Sequence, residues 1–283
     1  MKLLRYGPRG KEKPAMLDAE GKIRDLSRVI DDITPETLSK ASLRDLKKIN
    51  PAKLKLVPGK PRIGQCVANV PKIVCVGLNY RLHAQESGAA IPSEPVLFMK
   101  AITSLNGPYD DVVLPKGVKK GDWEVELGIV IGTKAQYVSE ADALKYVAGY
   151  CVVNDVSERH FQLERGGNWS KGKSCDTFAP IGPWLVTSDE VPDPQKLDMF
   201  CEVSGQMMQK STTGDMIFDC RKIISYISSL MTLMPGDIIP TGTPSGVGMG
   251  QKPVQRWLQP GDTMRLGLTG LGEQRQTVKA HKG

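Results

Sequence analysis

Apolar and polar residues alternate along KKGDWEVELGIVIG, residues 119–132: Trp123, Val125, Leu127, Ile129 and Ile131 interleave with Glu124, Glu126, Gly128, Val130 and Gly132. A period of two predicts a β-strand. Val130 interrupts the polar face, so most of this strand is expected to be buried on both sides. Strand signals recur in KIVCVGLNY, PVLFMK, DVVLP, AGYCVVNDVS, GPWLVT, MFCEVSG, DIIPTG and TMRLGL, separated by PG, GD and GP turns. Towards the N-terminus, KLLRYG and PAMLDAEGKIRDLS read as short antiparallel strands. TPETLSKA and SLRDLKKIN follow as two short helices, with Thr34 and Ser42 as N-caps. Two more helices are predicted, SEADALKYV capped by Ser139 and DCRKIISYISSLMTLM capped by Asp219. A proline-punctuated connector, PAKLKLVPGKPRIG, closes a small N-terminal α+β module over residues 1–70 and leaves 71–283 as the main domain. Helices are inserted among the strands rather than alternating with them, which predicts a mainly β, α+β chain unlike a Rossmann or TIM arrangement.

The 119–132 strand carries a contradiction. Glu124 and Glu126 lie on one face, about 7 Å apart at the usual strand rise. Two buried carboxylates that close repel each other and lose hydration unless something positive sits between them. YCVVNDVSERHFQ supplies a third acid, Asp155, at the end of another apolar run. Three hard oxygen ligands, with no nitrogen or sulfur, suit Mg²⁺ or Mn²⁺ with positions left open for water and substrate. Pairing each acid with an arginine or lysine at a strand edge satisfies the same spacing, and spacing alone leaves both readings open.

Composition narrows the class. The chain has 283 residues, 40% hydrophobic and 24% charged, with runs such as YISSLMTLM too short and polar to cross a bilayer. The N-terminus MKLLRYGPRG lacks the apolar stretch of a signal peptide. Six scattered cysteines without a CxxC fit reduced thiols and a cytoplasmic location, and three histidines cannot build a histidine-rich metal site. The net charge of +7 resides in residues 1–60, which hold 15 Lys+Arg and 8 Asp+Glu. That basic segment fits a solvated face, and no nucleic-acid motif accompanies it.

Three further stretches carry chemistry. In GLNYRLHAQESG, His83 and Glu86 share a face if the segment is helical. A carboxylate that orients an imidazole is what a general base needs, although an exposed surface pair has the same spacing. In PTGTPSGVGMG, four glycines with threonine and serine allow backbone N–H groups to crowd around an anion, and a flexible surface loop would look alike. GNWSKGKS, residues 167–174, matches G-x-x-x-x-G-K-S, but it has no apolar strand before it. Pro180 and Pro183 also forbid a long helix after it, so nucleotide binding is not expected.

Together, VGLNYRLHAQE, DWEVELGIVIG, NDVSERHFQ, KGKSCDTFAPIGPW, PGDIIPTGTPSGVG and LQPGDTMRLGL resemble the fumarylacetoacetase (fumarylacetoacetate hydrolase) family from about Lys72 to Val278. The resemblance implies a mixed β-sandwich roll, a homodimer or dimer of dimers, and one divalent metal, Mg²⁺ or Mn²⁺, on Glu124, Glu126 and Asp155. It further implies a lid dyad of His83 and Glu86, Lys173 as the active-site lysine, Arg159 and Gln162 as substrate contacts, and Thr243 as a carboxylate-binding residue. The N-terminal module and the ERHFQLERGGNWSKGKSCDTF segment are similar to bacterial members named ureidoglycolate lyases. Some relatives of those act on 2,4-diketo-3-deoxy sugar acids of the L-rhamnonate or L-fuconate series. The expected activity is hydrolysis of such an acid to pyruvate and lactate. A lyase, decarboxylase or tautomerase acting on ureidoglycolate, oxaloacetate or an acylpyruvate is the alternative. The expected partner is a small anionic 2-oxo or 2,4-diketo acid, not nucleic acid or a membrane.

Overall fold

A computed structural model describes residues 1–282. The alternation read from Val125–Ile131 organises it. Val125, Leu127, Ile129 and Ile131 enter one hydrophobic core, while Val130 enters a second core on the opposite face. The neighbouring strand Val147–Asn154 divides the same way: Val152 faces the first core, and Cys151 and Val153 face the second. These two strands form the middle of a long mixed sheet. Its order is Ile23–Asp25, Lys13–Leu17, Lys2–Tyr6, Ala179–Thr187, Val147–Asn154, Val125–Ile131, Ile238–Pro240, Ile73–Gly77 and Val96–Lys100, with Leu105–Asn106 pairing Ala179–Thr187 from the side.

The first core lies between this sheet and a second one of five strands, ordered Gln206–Thr212, Asp198–Val203, Thr263–Leu268, Gly272–Ala280 and Val112–Leu114. Met199, Cys201, Leu266 and Val278 of the second sheet meet Leu127, Ile129 and Val152 of the first. The helix Cys220–Leu230 closes the same core with Ile223, Ile224 and Ile227. Asp219 caps it, its carboxylate accepting from the Lys222 N–H at 2.8 Å. Each such aliphatic side chain contributes about 1.5–3 kcal/mol by leaving water.

The second core is covered by residues expected to form a small module. Leu26, Ile33, Leu38 and Leu46 pack on the face that carries Val130, Cys151 and Val153. Residues 1–70 are continuous with the large sheet, because Lys2–Tyr6 pairs antiparallel with Ala179–Thr187. Three local expectations change. Ser39, not Ser42, caps the helix Lys40–Lys47, its Oγ accepting from the Ser42 N–H at 3.2 Å. SEADALKYV forms turns and a 3₁₀ segment, Ala143–Tyr146, because its final valine is taken into the Val147–Asn154 strand. The Cys220–Leu230 helix stops before the predicted LMTLM end, where Leu233 pairs with Ala135 instead. Among the described residues no helix is long and apolar enough to cross a membrane.

The central strands approach closely at Gly128. A Cβ there would lie 2.6 Å from Val153 Cγ2 and 2.9 Å from Cys151 Sγ, in a layer without free volume. Gly128→Ala should therefore lower unfolding free energy by about 1–3 kcal/mol, the usual cost of overpacking. A urea titration reads this; an unchanged midpoint would mean that the two central strands do not pack this closely on the second-core face.

Candidate active site

Four central strands end at the same edge of the large sheet, and this brings the site together. Val125–Ile131 begins there and Val147–Asn154 finishes there. The chain then leaves Ile238–Pro240 and Ile73–Gly77 at the same edge. The pairing of Glu126 with Val153 puts Asp155 beside Glu124, and the Asp155 N–H donates to the Glu124 carbonyl at 2.9 Å. Glu124, Glu126 and Asp155 are all buried, and each offers an oxygen within 4.8 Å of the others.

The countercharge is supplied by three buried cations. Lys173 Nζ donates to Glu124 Oε2 at 2.6 Å and to Asp155 Oδ2 at 2.7 Å. Lys100 Nζ donates to Asp155 Oδ1 at 2.5 Å. Arg159 spans Asp122 (Nε to Oδ2, 2.8 Å) and Glu124 (Nη2 to Oε1, 2.6 Å). Both readings of the acids thus meet in one cluster: lysine and arginine pair two of them, and the third is left over. Glu126 accepts only the Gly242 N–H, at 2.8 Å, and has no cation partner among the described residues.

Electrostatics follow from this asymmetry. Burial, with the charges of Asp155 and Glu124 beside it, pushes the Glu126 carboxyl well above the usual carboxylate range. Burial acts on Glu124 too, but Lys173 and Arg159 outweigh it and hold that carboxyl below the range. Burial would depress the Lys173 ammonium, yet Asp155 and Glu124 hold it above an ordinary lysine. Four buried carboxylates (Asp122, Glu124, Glu126 and Asp155) face three buried cations, so ionising Glu126 leaves one negative charge in excess. An all-oxygen donor set with surplus negative charge fits a hard divalent cation.

The cluster opens into a cavity of about 180 Å³ lined also by His83, Gln162 and Thr243. This is below the roughly 300–1,000 Å³ of pockets for drug-sized ligands, so the cavity suits a small acid. The Arg81–Glu86 helix roofs it, and His83 Nδ1 lies 2.9 Å from Glu86 Oε1. Glu86 is held in turn by the Gly246 N–H, at 3.1 and 3.0 Å to its two oxygens. A carboxylate at Nδ1 keeps the proton there and leaves Nε2 its lone pair.

The remaining expected residues have internal partners. Arg159 Nη1 donates to Gln162 Oε1 at 3.0 Å, which leaves the Gln162 amide N–H₂ as a donor in the cavity it lines. Thr243 Oγ1 gives its hydrogen to the Val125 carbonyl at 2.9 Å and accepts from Gln209 Nε2 at 2.8 Å. A bound carboxylate would have to draw that hydrogen away from Val125. GNWSKGKS folds as a single turn, Ser170–Lys173, after another helix, and its lysine is turned into the carboxylates. That is not the geometry of a phosphate loop.

Sequence reading missed four residues that hold the site. In the sequence Lys100 is only the end of a strand; in the fold its ammonium holds Asp155. Asp122 ties Arg159 to the glycine loop, its Oδ1 accepting from the Gly248 N–H at 2.6 Å. Gln209 bridges Val125 (N–H to Oε1, 3.0 Å) and Thr243 across the two sheets. Asn79 Nδ2 donates to the Thr241 carbonyl at 2.7 Å. The aspartate two residues before Glu124 was the one visible signal.

Comparison with known proteins agrees with this geometry. The family model for the fumarylacetoacetate (FAA) hydrolase C-terminal domain matches residues 72–279. A Burkholderia ambifaria protein whose name says hydrolase and specifies no substrate is 58% identical over 279 residues, covering 99% of both chains. Fumarylacetoacetate hydrolase from Exiguobacterium antarcticum superposes with a TM-score of 0.88 at 33% identity, over 99% of this chain and 100% of that one. Maleylpyruvate hydrolase from Sphingobium sp. SYK-6, in complex with manganese(II) and pyruvate, gives 0.83 at 29% identity with full coverage of both chains. With the model spanning most of the chain and the cluster at its sheet edge, this protein belongs to the fumarylacetoacetate hydrolase family.

Proposed function

We propose that the chain is a metal-dependent hydrolase that cleaves the C3–C4 bond of 2,4-diketo-3-deoxy sugar acids of the L-rhamnonate or L-fuconate series, releasing pyruvate and lactate. One observation carries this reading: Glu124 and Glu126 of the carboxylate cluster line the same small cavity as a histidine whose tautomer is fixed by a carboxylate. The pyruvate and manganese(II) held by the similar maleylpyruvate hydrolase support both the metal and the product.

In the reaction, the oxygen of water bonds to C4 and the C3–C4 pair passes to C3. The resulting enolate takes up a proton to become pyruvate. A Mg²⁺ or Mn²⁺ ion held by Glu124, Glu126 and Asp155 supplies a Lewis acid for the charge that develops as the bond breaks. His83 accepts the water's proton at Nε2, with Glu86 stabilising the imidazolium from the Nδ1 side. Lys173, a buried ammonium at the cavity, offsets charge on the C4 oxygen. Gln162 donates its amide to a substrate oxygen, and Thr243 keeps the Gly242 amide on Glu126. The roof formed by the Arg81–Glu86 helix limits access of bulk water.

A second reading is isomerisation of a related enol acid, an activity named for a Mycobacterium smegmatis 5-carboxymethyl-2-hydroxymuconate delta-isomerase that is 30% identical. Isomerisation consumes no water and conserves the carbon skeleton. Lactate dehydrogenase-coupled detection of pyruvate, with lactate quantified separately, distinguishes the two: product without new carboxylic acid would refute hydrolysis.

Removing divalent ions with EDTA should abolish turnover, and Mn²⁺ or Mg²⁺ should restore it; full activity in a metal-free preparation would refute the metal role. Because the Glu126 carboxyl is raised in the metal-free protein, it keeps its proton at pH values where an ordinary glutamate is ionised. Metal binding must displace that proton, so Mn²⁺ affinity should rise with pH and calorimetry in buffers of different ionisation enthalpy should register proton release. Glu126→Gln removes a ligand without orphaning a cation. Ionising Glu126 in the fold costs stability increasingly as pH rises above the ordinary carboxylate range. The variant should therefore match or exceed the metal-free wild type in thermal midpoint at pH 8, while losing about 100-fold or more in Mn²⁺ affinity. A destabilised variant with normal Mn²⁺ affinity would contradict both assignments. His83→Ala should lower kcat by roughly 10²–10⁴-fold with Mn²⁺ and oxalate binding retained. Near-normal hydrolysis in that variant would remove His83 from the mechanism.

A further inference from the structure

Ser87 is a buried donor that the mechanism above does not use. It follows the Arg81–Glu86 helix in helical backbone conformation and lines the same cavity as His83. Residues four apart share one helix face, about 6 Å apart along the axis. The Ser87 Oγ is shielded from solvent and has no hydrogen-bond partner among the described residues. The two cations and the other hydroxyl lining the cavity are engaged, Lys173 on Glu124 and Asp155, Arg159 on Asp122 and Glu124, and Thr243 on Val125, while the Gln162 amide and His83 Nε2 are assigned to the reacting part of the substrate. A buried hydroxyl without a partner is costly, so this position suits a group that arrives with the ligand.

We propose that Ser87 is a specificity residue that selects 2,4-dioxo acids bearing a hydroxyl on the carbon next to C4, within the acyl fragment that leaves. The inference rests on the proposed hydrolysis, in which His83 delivers water to C4. A side chain one turn further along the same face then meets the fragment beyond C4, while the carboxylate cluster lies with the pyruvate half and Lys173 with the C4 oxygen between them. A serine hydroxyl both donates and accepts, which matches an alcohol. A second carboxylate in the tail would lack countercharge, since both cations lining the cavity, Arg159 and Lys173, are bonded to Glu124.

The test compares wild type and Ser87→Ala, both full-length and loaded with Mn²⁺, on 5-hydroxy-2,4-dioxohexanoate and on 2,4-dioxohexanoate. Wild type should prefer the hydroxylated acid in kcat/KM. Ser87→Ala should lose about tenfold on that acid and change little on the other, so that the preference collapses. Equal losses on both acids, or none on either, would overturn the role of Ser87. If wild type cleaves neither acid, the hydrolase reading fails, and calorimetric affinities for the same two acids still decide on Ser87. A wild-type preference that the variant loses sustains the selection, and equal wild-type affinities refute it.

Discussion

The ammonium of Lys173, seated between Glu124 and Asp155, is the contact on which the site depends. Removing an ion from water costs several kcal/mol even after relaxation, and two adjacent carboxylates add mutual repulsion. Coulomb attraction at under 3 Å, with two charge-assisted hydrogen bonds, offsets this only while all three groups stay in place. The lysine reaches them from a single helical turn whose Gly172 has no room for a side chain, a Cβ there lying 2.2 Å from the Glu158 carbonyl. Backbone packing around a glycine thus sets where a buried charge sits, and that charge sets which carboxylate ionises easily.

The large sheet makes such crowding possible. Its strands shed apolar side chains to both faces, so their bodies are held by two cores and only their ends are free to carry polar groups. Acids that would be expelled from the middle of a strand are tolerated at its end, Glu124 and Asp155 one residue outside their strands and Glu126 second within its own, where Gly242 and the Arg159 turn bring N–H groups and guanidinium. The N-terminal residues contribute by covering the second core, on the face that carries the acids further along.

Much of this was legible in the chain. The period of two across Trp123–Ile131 located the central strand, its faces and the same-side glutamates, and the Asp219 cap located the long helix. What was not legible has physical causes. Gln206–Thr212 and Gly272–Ala280 are strands without apolar alternation. The latter buries Gln274 and Gln276, whose amides donate to Val152, Pro180, Gly182 and Pro108 carbonyls, so hydrogen bonding replaces hydrophobicity as the reason for burial. Lys100, Asp122, Gln209 and Asn79 act across separations that no local window spans. Ser39 and Ser42 are both good caps, and the choice fell to the one preceded by the Pro35–Leu38 turn. The site acids were readable as a set because two share a strand; their countercharges were not, because each comes from a different element.

Glu86 serves two masters: it accepts from the Gly246 amide and orients His83. Any displacement of the roof helix from the glycine loop breaks the Gly246 contact and leaves Glu86 free to swing away from the imidazole on its own helix. The imidazole then has neither a fixed ring orientation nor a fixed proton, and it stops being a competent base at the same moment that bulk solvent gains entry. Reactivity and enclosure are therefore interlocked through one carboxylate, a built-in safeguard that denies an open cavity the means to activate stray water.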